Sequence, residues 1–339
     1  MQAFNLRGGL VDTHRHLGGS CSPKFLLHAM DVGACPRLPY DQIERHLVCL
    51  PDEPREFNHF LSKFKFLDKI LWTEELVAAK IKYVCNEMNN ESLEGVFLDF
   101  SVSKYRHIGW SLTEAMNFIL DRLDEYSDIP IIPILSIKYE SPREAQLKIA
   151  QVIDDSSIAD RVGGIDFVGD ESKFNPSIQR PICQMWDNKL VRLHVGESQH
   201  SQNVNQAITD FKATNIAHGI KIVDDKYLLE ACGASQDVIF DIAPTSNYVT
   251  GVVKDTHKHP SKIMMEHGVH MTVGSDDPIQ CSTTLHQEYT LLSQSGFTEE
   301  ELDTLANNGR VQLAKWLDYS VGGKDENNFG DGVVRPSGL

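Results

Sequence analysis

Eight short runs rich in Val and Ile, each separated from the next by an amphipathic stretch, run through the whole 339-residue chain. They cover 9–16, 95–102, 129–137, 163–168, 190–195, 215–218, 238–242 and 269–274. Short apolar runs alternating with helical periodicity mark βα units that feed a parallel sheet. An open doubly wound sheet and a closed barrel both fit that alternation. Eight strands with polar residues gathered just beyond their C-terminal ends favour the barrel. The expected fold is therefore α/β, a (β/α)8 TIM-type barrel. Such barrels run to about 250 residues plus insertions as one unit, so 1–321 is expected to be a single domain. The last stretch, 322–339, is rich in Gly and polar residues and is expected to form a flexible tail.

Between the first two runs lie roughly eighty residues, far more than one crossover helix needs, so extra helices are expected after strand 1. Ser22-Pro23 has the form of an N-cap followed by proline at the first helical position, opening a helix over 24–31. Phe57, Phe60, Leu61, Phe64 and Leu67 repeat at helical spacing and form one aromatic stripe. Helix packing on the barrel is the commoner origin of such a stripe; a cover over a flat aromatic ligand is the other.

Composition narrows the class of function. A formal charge of -16 disfavours a nucleic-acid polymer, whose binding depends on lysine and arginine displacing counterions, but leaves a small base or nucleoside open. Seven scattered cysteines without a C-x-x-C pair argue against a disulfide framework or a thiolate zinc site. No apolar run approaches the ~18 residues of a membrane span, and the start MQAFNLRGG lacks a signal-peptide pattern, so a cytoplasmic protein is expected.

His14 and His16 lie two apart at the end of the first run, and strand alternation points both to the barrel interior while Arg15 faces the helix layer. His194 ends the fifth run with Glu197 just beyond it, His218 ends the sixth, and Asp276-Asp277 follow the eighth. Taken singly, each also fits a capped turn or a satisfied core histidine. Their joint placement at strand ends is what a barrel active site requires, and imidazole with carboxylate is a common donor set for zinc. The remaining histidines, among them His257, His259, His267 and His270, fall in helix or loop contexts and are read as structural.

With these pieces in order, VDTHRHLGGS (11–20), GGIDFVGDES (163–172), LHVGES (193–198), IAHGI (216–220), APTSNYVTG (243–251) and VGSDDP (273–278), the chain resembles the adenosine and AMP deaminase family of metal-dependent amidohydrolases. The resemblance spans about 9–318 and implies one Zn²⁺ per chain, held by His14, His16, His194 and Asp276. It implies that zinc lowers the pKa of a bound water, which His218 orients and deprotonates and to which Asp276 accepts a hydrogen bond. Glu197 would protonate N1 of a purine, Asp277 would bind N7 and the Gly169 N–H would bind N3, with His16 also on the substrate side. For Asp277 to bind N7, one partner must carry a proton, which asks for a raised Asp277 pKa.

Two departures concern the sugar side. Gly18 stands where nucleoside-specific members have Asp for the ribose 5′-hydroxyl, and Asp99-Phe100-Ser101 stand where the second strand usually carries an arginine. The expected substrate is adenosine or deoxyadenosine with a tolerant 5′ end; an AMP-like nucleotide or modified purine is the alternative, with Lys63 and Lys65 as candidate phosphate partners. Other metal-dependent hydrolysis on the same barrel is the nearest rival, but Phe167-Val168-Gly169 lacks the bridging group that a second metal needs. The H-x-E with P-C-x-x-C signature of another deaminase class is absent. A catalytically inactive barrel serving as a binding protein is the rival of another class.

Overall fold

The computed structural model describes residues 6–321; the expected tail, 322–339, lies outside the described residues. Eight strands form one sheet in sequence order: β1 (Leu10–His16), β2 (Leu93–Phe100), β3 (Ile131–Lys138), β4 (Gly164–Val168), β5 (Leu190–Val195), β6 (Asn215–His218), β7 (Ile239–Ile242) and β8 (Met271–Val273). Each neighbouring pair is parallel. The sheet closes just past β8, where Arg15 bridges Asp276. There the His16 N–H donates to the Asp276 carbonyl at 2.8 Å, and the Asp276 N–H donates to that of His14 at 2.8 Å. A residue next to the expected metal site therefore also locks the barrel shut.

Parallel strands buried on both faces read as continuous apolar runs, and most of these do. Among the charged residues that interrupt them are Asp99 on β2, Asp166 on β4, Arg192 on β5 and Asp241 on β7. All four are fully buried and meet in one network. Arg192 pairs with Asp99, donates to Asp166 at 2.6 Å and Asp241 at 3.2 Å, and reaches the Thr13 carbonyl at 2.7 Å. Burial pushes the Asp99 and Asp241 carboxyls up despite the guanidinium beside them.

The insertion after β1 contains α1 (Pro23–Asp31), α2 (Tyr40–Leu47), α3 (Phe57–Ser62) and α4 (Glu74–Asn90). Ser22 is the extended N-cap of α1 with Pro23 at the first turn, as the sequence predicts, though its hydroxyl makes no capping bond. Thr73 does cap α4, accepting from the Leu76 N–H at 3.3 Å. The aromatic stripe does not form one helix: α3 stops at Ser62, and tight turns lead to a short 3-10 turn, Leu67–Lys69. Phe60 and Leu67 are buried, whereas Leu61 is 36% exposed, so the stripe splits between core and surface. Arg15 turns to the helix layer as expected and bonds Glu91, the residue after α4, at 2.8 Å. All seven cysteines are free and buried. Among the described residues no helix is long and apolar enough to cross a membrane.

Candidate active site

The ends of β1, β5 and β6 bring the four motif histidines together, and the segment after β8 adds Asp276. Ring centroids of His14 lie 5.0 Å from His16, 4.8 Å from His194 and 5.5 Å from His218. The Nε2 atoms of His14 and His16 are 3.0 Å apart, and Oδ1 of Asp276 lies 3.6 Å from the first and 3.2 Å from the second. Among the described residues three overlapping groups, each with its ligand atoms within 4.8 Å of one another, could hold a cation: His14, His194, His218 and Asp276; His14, Asp99 and Asp166; and His16, Asp276 and Asp277. His218 and Asp276 both sit at positive φ, +64° and +58°. Such backbone costs about 1–3 kcal/mol per residue and is kept where the surroundings impose it.

Electrostatics favour a bound cation. Burial, aided by the Arg192 charge, keeps His14 from protonating, so its lone pair is available. Burial alone would raise Asp276, but a hydrogen bond from His16 and the neighbouring imidazoles hold it well below the usual carboxylate range. Burial likewise opposes charge on His16, yet the carboxylates of Asp277, Asp276 and Asp99 outweigh it and raise it to about 10. The acids stabilise positive charge on this ring, which as a metal ligand would first have to give up its proton. Converging imidazole nitrogens and one ionised carboxylate are a donor set that suits zinc. Nδ1 of His194 is fixed by Asp166 at 3.0 Å, whereas Nδ1 of His14 is buried without a hydrogen-bond partner.

Glu197 is buried beside this cluster, its Oε2 3.8 Å from Nε2 of His218. Its Oε1 accepts from Nδ2 of Asn247 at 2.9 Å and from Thr250 at 3.3 Å. The loop that carries it is clamped by the buried Glu171, which accepts the N–H groups of Gly196, Ser198 and Gln199 at 2.6, 2.9 and 3.0 Å. At Gly219, φ +62°, a Cβ would fall 2.5 Å from the Phe240 ring, so only glycine follows His218 here.

Asp277 packs against the backbone of Gly19, where a Cβ would lie 1.7 Å from its Oδ1. Burial and the Asp276 charge raise the Asp277 carboxyl to about 8, the direction that a protonated partner for N7 asks for. A Cβ at Gly18 would meet only Phe64, at 4.0 Å, leaving that position open. Gly169 has φ +97° and turns toward Glu140. Lys63 departs from its expected place at the substrate: it is buried and spent on Glu53 at 2.5 Å and the Arg45 carbonyl at 2.8 Å. Lys65 is exposed.

Sequence reasoning passed over Asp166, Glu171, Asn247 and His259. Nε2 of His259 lies 3.1 Å from Oδ1 of Asn247, so a histidine read as merely structural adjoins the site. The signal for Asp166 was a charge inside an apolar run; Glu171 and Asn247 stood inside recognised motifs without a role.

The adenosine deaminase family model matches residues 10–318. An adenosine deaminase of Enterococcus faecalis is 26% identical over 288 residues, which covers 84% of this chain and 85% of that protein. Among solved structures, an amidohydrolase of Burkholderia ambifaria with bound zinc superposes with a TM-score of 0.77 at 19% identity, over 93% of this chain and 90% of that one. Arabidopsis ADAL complexed with IMP does so at 0.72 and 21% identity, over 91% and 96%. At such identities the two superpositions establish the shared fold.

Proposed function

The chain belongs to the adenosine deaminase family and is a hydrolytic deaminase, and from that premise we propose that it converts adenosine or deoxyadenosine to the inosine form plus ammonia. One zinc per chain, held by His14, His16, His194 and Asp276, is part of this reading. The observation that carries it is the convergence of those four side chains beside a buried Glu197 and His218. The zinc-bound Burkholderia ambifaria structure supports the choice of metal.

Zinc supplies Lewis acidity that brings the pKa of a water molecule down to about 7. The protein's own groups do the rest. Attack on C6 destroys ring stabilisation, so a proton must reach N1; Glu197, held through Oε1, has its other oxygen directed at the site to hand one over. A protonated Asp277 donates to N7 and the Gly169 N–H donates to N3, which fixes both edges of the ring. His218 stands over the site between Glu197 and Asp276, where it holds the attacking water.

An AMP-like nucleotide is the second reading, because the Lys104 charge reaches Asp277. Lys104 is itself paired with Asp68 at 3.1 Å, and Lys63 is committed elsewhere, so the nucleoside reading stands first. The test is ammonia release from adenosine, deoxyadenosine, adenine and AMP, with zinc content measured on the same sample. Absence of turnover of both nucleosides overturns the proposal, and turnover of AMP alone establishes the second reading.

A further inference from the structure

Two of the four imidazoles that face the centre could each complete a ligand set, His16 or His218, and hydrogen bonding behind the site distinguishes them. Nδ1 of the buried His259 receives the Ser261 backbone N–H at 3.2 Å and lies 2.7 Å from the Ser261 hydroxyl. A backbone N–H can only donate, so Nδ1 is an acceptor and the ring proton sits on Nε2. Burial drives the His259 pKa down to about 3, which leaves the ring with that single proton. Nε2 therefore donates to Oδ1 of Asn247 at 3.1 Å. The Asn247 amide then has one orientation: its NH2 faces Oε1 of Glu197 at 2.9 Å and Nδ1 of His218 at 3.2 Å, with one proton for each.

We propose that Ser261, His259 and Asn247 form a positioning relay that fixes His218 as the tautomer with its proton on Nε2, facing Glu197 and Asp276. The proposal rests on the reading of this cluster as the deaminase site. It makes Asn247 and His259 positioning residues, which act through Glu197 and His218 and need touch no substrate. A neutral His218 in this form offers the centre a donor and no lone pair. It is then no metal ligand, which leaves His16 in that place. It holds the attacking water by donating to its oxygen, and the proton that this water gives up goes instead to the Asp276 carboxylate, whose Oδ2 lies 3.9 Å from Nε2 of His218.

The test is ¹⁵N NMR of the full-length, zinc-loaded protein labelled at histidine, with the His218 signals identified by their loss in His218→Gln. The expected result is Nδ1 in the unprotonated range and Nε2 in the protonated range. A proton on Nδ1, protons on both nitrogens, or a metal-bound Nε2 overturns the proposal. In Asn247→Asp the amide donor becomes a carboxylate, and the His218 proton should move to Nδ1; a tautomer that stays put shows that Asn247 does not set it. If that variant fails to fold, the wild-type spectrum still decides. The tautomer is read without turnover, so an expected spectrum from a protein inactive on every purine would reject the substrate reading and leave the relay standing.

Discussion

Oδ1 of Asp166 lies 3.0 Å from Nδ1 of His194, so a carboxylate from the neighbouring strand turns the His194 ring and leaves its Nε2 for the centre. The same carboxylate takes 2.6 Å contact from Arg192, and with His194 and Arg192 around it Asp166 stays ionised against the cost of burial. Outer partners of this kind are worth about 10–100-fold in metal affinity. Asp166→Asn is therefore expected to weaken zinc by that factor in a chelator competition, while His194→Ala loses most of the metal outright. Unchanged affinity in Asp166→Asn would show that His194 is not a ligand whose orientation matters.

Glu197 separates proton transfer from metal binding. Its Oε1 is held by Asn247 and Thr250, and the proposed ligands do not include it. Glu197→Gln should retain a full equivalent of zinc and lose at least about 10²-fold in kcat, the lower end for general acid–base groups. Loss of zinc from this variant would make Glu197 a ligand and reject its assigned role.

The barrel was legible because parallel strands advertise themselves as apolar runs: β5 and β6 have the residue bounds that the sequence suggests, and β8 is shorter. His14, His194 and Asp276 were legible because strand ends are where a barrel collects its chemistry. The stripe from Phe57 to Leu67 misled because periodicity reports spacing and not what lies opposite; after Ser62 the chain runs in turns, where Lys63 pairs with Glu53. His259 was invisible for a related reason. Its partners, Asn247 and Ser261, come from segments whose approach only the folded backbone defines.

Stability should carry a pH signature from Glu288, which lies outside the metal cluster. Burial raises this carboxyl from 4.5 to about 7, although Thr245 and Thr283 donate to it. The folded chain thus keeps a proton that the unfolded chain has released between those two values, and stability falls as pH rises through that window and levels off above about 7. The slope is at most about 1.4 kcal/mol per pH unit. Glu288→Gln mimics the protonated group, accepting from the Thr245 N–H and donating to the Thr283 hydroxyl. Urea unfolding should find the variant level with wild type near pH 5 and more stable at pH 8. A variant less stable at both would mean that the ionised carboxylate is the native form.

Substrate choice turns on Gly18. A Cβ there meets only Phe64 at 4.0 Å, so the backbone at Gly18 has room for the first carbon of a side chain such as that of Gly18→Asp. The wild-type position offers no side-chain acceptor for a 5′-hydroxyl. Adenosine and 5′-deoxyadenosine should therefore show similar kcat/KM, and installing the carboxylate should favour adenosine over both 5′-deoxyadenosine and AMP, the last through charge repulsion. A site dedicated to a hydroxyl discriminates by about 10⁴-fold or more. A wild-type loss of that size on removing the 5′-hydroxyl would mean that another group already grips it, and the tolerant 5′ end would be wrong. If AMP instead outpaces adenosine in the wild type, Lys104 becomes the residue to replace, since its charge reaches Asp277 and its partner Asp68 is largely solvent-exposed and replaceable by phosphate.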